Sequence, residues 1–243
     1  MISCEQQDDG CHGGEPVNAF AYIHQNNITD ETCAIYRARG YDNGLECSPI
    51  LKCRNCDPHE PCFIPDEYLE YSVDQFAHFE GEHAMMQEIY QRGPIACGIA
   101  VSEKMENYTN GIFEDDTGDV EVVHEVSIVG FGEEEGTPYW LIRNSWGTHW
   151  GIDGFMKLIR GKNNLAIESD CAWATPVDTW TNKLTHKTTE AEQNDPKNDK
   201  TNGEYPEGVK TDFLQDGKLP GCRRAGKAVF KNGEKRPEVM AWE

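Results

Sequence analysis

Asn144-Ser145-Trp146-Gly147-Thr148-His149-Trp150-Gly151-Ile152-Asp153-Gly154-Phe155 sets three glycines and two tryptophans in twelve residues, directly after a strand-like run from Tyr139 to Asn144. Upstream, Val120 to Phe131 is equally strand-like, and Gly132 with Gly136-Thr137-Pro138 supplies turn signals between the two runs. A hairpin with its midpoint at residue 134 and no bulge makes His124 and Asn144 cross-strand neighbours, with Val126 and Ile128 on the face of His124 and Trp140 and Ile142 on that of Asn144. Directly opposed residues have Cβ atoms about 4.5 to 5.5 Å apart, within reach of an imidazole–carboxamide hydrogen bond. An amide oxygen that accepts one ring N–H fixes the tautomer and rotation of an imidazole and leaves its other nitrogen aimed outward. Such a pair also occurs as a satisfied contact on a half-buried sheet, so the residues around it decide its meaning.

Outward from the hairpin, Ile95 to Val101 is a further strand, and the second half of the chain reads as mostly antiparallel sheet. Val17, Phe20, Ala21 and Ile23 recur at helical spacing, so Val17 to His24 is a helix that Asn26-Asn27 ends. A second helix covers Ala84 to Tyr90, with Met85, Met86, Ile89 and Tyr90 on one side and Gly93-Pro94 as its stop. Residues 1 to 176 contain no internal repeat.

Ten cysteines, five of them between Cys33 and Cys62 in the loop-rich stretch Asp30 to Pro65, are too many for a reducing compartment unless a metal holds them. Cys53, Cys56, His59 and Cys62 have zinc-like spacing, and a disulfide cluster fits the same residues. The formal charge of −21 speaks against a nucleic-acid partner, whose phosphates it would repel. No apolar run approaches the roughly 20 residues of a membrane helix. Residues 177 to 243 hold 12 basic and 12 acidic side chains, so residues 1 to 176 carry the whole excess of negative charge. Thr181 to Val209 has too little apolar surface to offset the entropy of ordering and reads as part of a low-complexity, disordered tail over 177–243. Met1-Ile2-Ser3-Cys4-Glu5-Gln6 has neither the basic start nor the apolar stretch of a signal peptide.

Residues 1 to 176 resemble the papain family of cysteine peptidases, its cathepsin X/Z branch in particular. The resemblance is carried by Asn144-Ser145-Trp146-Gly147 with Trp150-Gly151, Gly154-Phe155 and Arg160, and by the strand His124 to Gly132. Cys11-His12-Gly13-Gly14 is similar to the family's glycine motif in the substrate cleft. Asp30-Glu31-Thr32-Cys33, the spacing of Cys47, Cys53, Cys56 and Cys62, Asn107-Tyr108-Thr109, and Asn164 to Glu168 with Cys171 point to the branch.

The resemblance implies an α+β fold, a truncated helical left lobe and an antiparallel sheet-rich right lobe, with the site between them. It makes His124 the general acid/base, Asn144 its orienting partner and Trp146 the shield of their bond, and it makes Gly13 and Gly14 residues that bind the substrate peptide. It pairs Cys4 with Cys47, Cys33 with Cys53, Cys56 with Cys62 and Cys97 with Cys171, and leaves Cys11 and Cys222 unassigned. Asn27-Ile28-Thr29 and Asn107-Tyr108-Thr109 are glycosylation sequons, in keeping with a lysosomal or extracellular protein. The chain reads as a monomer without cofactor or metal, acting on peptides or proteins.

Neither the family's Cys-Gly-Ser-Cys-Trp nucleophile sequence nor its preceding glutamine occurs in the 243 residues, and Met1 to Cys4 matches a later family segment. The expectation is therefore an N-terminally incomplete peptidase, inactive as it stands. Cys11 does not replace the nucleophile, because its neighbour His12 points to the opposite face of an extended chain. Val123 and Glu125 depart from the family pattern, and the Glu125 carboxylate is expected to favour a charged His124. The alternatives are a non-catalytic peptide-binding remnant of the same fold and a zinc-held structural domain.

Overall fold

A computed structural model describes residues 1–10, 13–36, 46–57, 60–178 and 181–200. Cys11, His12, His59 and Cys222, and everything after residue 200, lie outside the described residues. In chain order the elements are α1 (Pro16–Asn26), α2 (Pro49–Lys52), β1 (Glu67–Glu70), β2 (Val73–Phe79), α3 (Glu82–Arg92), β3 (Ile95–Ala100), α4 (Glu103–Glu106), β4 (Ile112–Phe113), β5 (Val122–Glu134), β6 (Thr137–Arg143), β7 (Phe155–Ile159), β8 (Cys171–Pro176), β9 (Leu184–Lys187) and α5 (Glu190–Gln193). The described residues form two compact units, 1–75 with 176–200, and 76–175.

The second unit is built on a seven-stranded sheet in the order β2-β8-β3-β5-β6-β7-β4. The pairs β3–β5, β3–β8, β5–β6 and β6–β7 are antiparallel, and the two-residue β4 joins β7 in parallel. Alternation along β5 buries His124, Val126 and Ile128, and on β6 it buries Trp140 and Ile142, as period-2 patterning requires. Val126, Ile128, Trp140 and Ile142 join Ile95, Ile99, Met156 and Leu158 in one core, each fully buried aliphatic side chain contributing roughly 1.5–3 kcal/mol. α3 adds Met85 to that core, with Met86 and Ile89 packed against it. Tyr90, expected on the same side, is instead 85% exposed. Five helical steps from Met85 turn the chain by about 140°, whereas four bring Ile89 back to the core face.

The hairpin register differs from a midpoint at residue 134. Glu135 and Gly136, at φ 51° and 79°, form a two-residue turn that pairs Glu134 with Thr137. Both positive φ values are those of a type I′ hairpin, whose twist matches its strands. A bulge then advances β5 by two residues, from Gly130↔Leu141 to Ile128↔Ile142, against one on β6. Ser127 faces Arg143, so one further step sets Asn144 against Val126 and leaves His124 diagonal to it on the same face. The two side chains meet, but not as directly opposed neighbours.

In the first unit, α1 opens with Pro16, whose missing N–H is an orphan at that position anyway, and closes at Asn27, whose N–H donates to Ile23 O at φ 54°. Ile50, Cys62 and Ile64 form a small core with Cys56 and Tyr68 packed on it. The structure contains the disulfides Cys4–Cys47, Cys33–Cys53 and Cys56–Cys62 here and Cys97–Cys171 in the second unit.

The segment after Val177 departs from the expected disordered tail as far as residue 200. β9 pairs with β1 over Glu67↔Lys187 to Glu70↔Leu184, and α5 follows behind a capping box in which Thr189 and Glu192 exchange hydrogen bonds. The His186 ring stacks on Tyr68 with centroids 4.7 Å apart, its Nδ1 lying 3.4 Å from Glu70 Oε1 and its Nε2 3.0 Å from Glu192 Oε1. Gln193 Nε2 donates to Ile64 O at 2.7 Å, and Cys62 N–H to Lys200 O at 2.8 Å. Composition predicted too little apolar surface for order; backbone pairing and side-chain hydrogen bonds to the disulfide-stapled module supply what apolar burial does not.

Candidate active site

His124 sits on the buried face of β5 opposite Ile99, and Asn144 follows the last residue of β6. Asn144 N–H donates to Gly154 O at 3.0 Å, so the loop from Ser145 to Gly154 closes back on the residue that precedes it. Gly151 permits this closure: its φ is 59°, and a Cβ there would lie 2.4 Å from Phe155 O and 3.2 Å from the Tyr108 ring. Trp150 anchors the loop from below, its Nε1 3.2 Å from both Met105 O and Glu106 O.

His124 Nε2 lies 2.9 Å from Asn144 Oδ1. The same oxygen accepts the Ser145 backbone N–H at 2.8 Å. A backbone N–H can only donate, so that end of the Asn144 side chain is the carbonyl oxygen, and the His124 nitrogen facing it carries the proton. In the neutral ring Nδ1 is therefore the free base. Trp146 stacks on the imidazole with centroids 5.1 Å apart and planes 23° from parallel, and Trp150 meets Trp146 edge-on at 5.1 Å. His124, Asn144 and Trp146 are all buried, at 6%, 9% and 9% exposure, which keeps water from the hydrogen bond.

Burial pushes the His124 pKa below the ordinary imidazole value, and the Asn144 hydrogen bond opposes that shift without cancelling it. Glu125, expected to favour the charged ring, is the next residue along β5. Successive strand residues point to opposite faces, and Glu125 lies across from Gly98 while His124 lies across from Ile99. Val123 is 49% exposed.

Two carboxylates that brace the sheet and its turns, Glu168 and Asp115, have roles that no periodic signal marks in the sequence. Glu168 accepts Trp140 Nε1 at 3.0 Å and the N–H groups of Gly161 at 2.7 Å and Asn163 at 2.9 Å, tying β6 to the turn after β7. Asp115 accepts the Ser102 hydroxyl at 2.6 Å and the Thr117 N–H at 2.7 Å, while Asn164 brackets its backbone at 2.9 Å on both sides. Burial raises the Asp115 carboxyl, but the hydrogen bonds from Ser102 and Thr117 outweigh it and hold the pKa below the usual range.

Gly13 and Gly14 lie in the first unit, ahead of α1. The sequon residue Asn107 is exposed at the end of α4, with Nδ2 donating to Glu103 O at 2.7 Å. Asn27 Nδ2 donates to Glu70 Oε2 at 3.0 Å, and the Thr29 hydroxyl to Lys52 O at 2.6 Å. Cys53, Cys56 and Cys62 are each committed to a disulfide rather than held as thiolates. Among the described residues no group of three or more His, Cys, Asp or Glu side chains is arranged to hold a metal ion, and no helix is long and apolar enough to cross a membrane.

A sequence profile described as papain family cysteine protease matches residues 1–175. The chain is 42% identical over 186 residues to a protein named cathepsin Z from Onchocerca volvulus, covering 73% of this chain and 58% of that protein. It is 31% identical over 196 residues to cathepsin B-like cysteine proteinase 1 of Haemonchus contortus, covering 74% and 57%. Among solved structures, procathepsin B S9 of Trypanosoma congolense superposes with a TM-score of 0.60 at 28% identity, covering 72% of this chain and 58% of that one. Procathepsin L 3 from the larval midgut of Tenebrio molitor gives 0.57 at 26% identity, covering 72% and 53%. The chain thus spans less than three-fifths of the length of these relatives.

Proposed function

The chain belongs to the papain family of cysteine proteases, and from that premise we propose that it is the His- and Asn-bearing part of a cathepsin X/Z-like peptidase. The whole enzyme would hydrolyse peptide bonds in a lysosomal or extracellular setting, with glycans on Asn27 and Asn107. In this reading a thiol on a segment other than residues 1–243 gives its proton to His124 Nδ1, and the resulting thiolate attacks the scissile carbonyl. The imidazolium then passes that proton to the leaving amine. Asn144 holds the tautomer through both transfers, Trp146 keeps water from their bond, and Gly13 and Gly14 contact the substrate backbone. Removal of residues from the carboxyl end, the character of the cathepsin X/Z branch, rests on the resemblance alone.

One observation carries the proposal: the Asn144 carbonyl oxygen, identified by its bond to Ser145 N–H, leaves His124 Nδ1 as the base. The 243-residue chain is expected to give no turnover of an internally quenched peptide. A chimera with the cysteine-bearing first segment of a papain-family peptidase placed ahead of Met1 is expected to hydrolyse it, and His124→Ala in the chimera to abolish that gain. A folded chimera without activity refutes the reading. The second reading, a peptide-binding remnant without catalysis, predicts saturable peptide binding and an inert chimera.

A further inference from the structure

The two glycines ahead of α1 lack side chains for different reasons. Gly13 has φ 118°, and nothing lies within 4 Å of where its Cβ would be. At Gly14 the corresponding space is filled: a Cβ would fall 2.5 Å from Asp8 Oδ2 and 2.7 Å from Asp8 Cβ, closer than non-bonded atoms approach. Asp8 is therefore packed against the side-chain face of Gly14.

The other oxygen of that carboxylate is also committed. Asp8 Oδ1 accepts the Glu15 N–H at 3.2 Å and Asn18 Nδ2 at 2.7 Å. The N-cap residue Glu15 makes no side-chain cap and the first turn of α1 has no acidic residue, so Asp8 supplies the negative charge that a helix start favours. Asp8 is itself held, its N–H donating to Glu5 Oε2 at 2.8 Å, and the next residue, Asp9, donates to Gly13 O at 3.1 Å. The polar groups on either side of Gly14, the Gly13 carbonyl and the Glu15 N–H, are thus occupied. The N–H and C=O of Gly14 itself make no hydrogen bond to any described residue, and Gly14 is exposed.

We propose that Asp8 is a positioning residue for peptide binding: it closes one face of Gly14 and engages the neighbouring polar groups, so that the Gly14 N–H and C=O remain as the pair an extended peptide takes by backbone hydrogen bonding. This rests on the reading of Gly13 and Gly14 as substrate-contacting residues. The carboxylate does not touch the peptide; it acts through the glycine.

The test uses the full 243-residue chain and a fluorescein-labelled, C-amidated heptapeptide of alternating alanine and valine with one lysine. Binding is read by anisotropy, and the Gly14 amide by NMR hydrogen exchange with and without peptide. Wild type is expected to bind with protection of Gly14. Asp8→Ala is expected to weaken binding about tenfold, because it frees the Glu15 N–H and uncovers the face of Gly14 that the carboxylate closes. Asp8→Asn keeps an acceptor at Oδ1 and is expected to restore it. Gly14→Ala is expected to lower the melting temperature, and part of that loss to return in the Asp8→Ala/Gly14→Ala double variant, because the clash is with Asp8. A wild type that binds with Gly14 protected while Asp8→Ala binds equally well overturns the inference and leaves the substrate reading standing. A wild type without binding overturns both.

Discussion

Asn144 decides what His124 can do, and a backbone amide decides what Asn144 presents. Because Ser145 N–H must find an acceptor, the carboxamide cannot flip without setting one donor against another. Asn144→Ala removes the contribution that raises the His124 pKa and leaves burial unopposed, so the pKa is expected to fall further below its ordinary value, and the ring to populate both tautomers; a ¹⁵N NMR titration of the imidazole measures both. The same depressed pKa fixes a pH dependence. A histidine that titrates lower in the folded state than in the unfolded chain stabilises the fold above about pH 6.5. That contribution is lost as pH falls through the folded-state value, so urea midpoints are expected to decline on acidification below about 6.5, and less steeply in His124→Gln.

At the scale of elements, Glu168 and the β9–α5 segment carry the sharpest expectations. Glu168→Ala leaves the buried Trp140 Nε1 without its acceptor, at about 1–3 kcal/mol, while the amides of the exposed Gly161 and Asn163 can turn to water. A loss of about 1–3 kcal/mol by denaturant titration is expected. Along α5, Thr189→Ala removes the capping box, at about 1 kcal/mol. Its signature is faster hydrogen exchange across residues 184–200 with the amides of β5 and β6 unchanged. The Thr189 N–H pulls the Glu192 carboxyl below its usual pKa against an opposing effect of burial, helped by the Thr189 hydroxyl and by His186. Stability from this contact is present above the ordinary carboxyl range and disappears as pH falls through the lowered value, so the segment is expected to loosen in acid by the same exchange measurement.

The elements also show how much could be read ahead of the fold. α1, α3 and strands β3, β5 and β6 follow from apolar spacing and from Gly93 and Asn27 as stops, since amphipathic period is a local property. The register of β5 against β6 does not, because one extra residue at the bulge shifts every pair beyond it. The docking of β9 on β1 escapes a compositional reading altogether: its order comes from an edge strand more than a hundred residues earlier in the chain, not from its own apolar content.

Over the whole molecule, the disulfides join what the chain separates. Cys97 and Cys171, 74 residues apart in sequence, connect neighbouring strands β3 and β8. Opening that bridge with Cys97→Ala/Cys171→Ala restores the entropy of a long unfolded loop and is expected to cost about 4 kcal/mol, seen as a lower urea midpoint than that of wild type. The family, the disulfides and the meeting of His124 with Asn144 were legible in the sequence, because they depend on residue types at near-fixed spacing: glycines that permit one loop closure, tryptophans that fill its underside, cysteines enough for several bridges. The tertiary structure alone decided which nitrogen of His124 is the base, that His124 and Asn144 meet diagonally, that Asp8 stands behind Gly14, and that residues 184–200 are ordered. Each of these depends on atoms brought together from separate parts of the chain or on the orientation of a single amide, and neither leaves a period or a motif in the sequence.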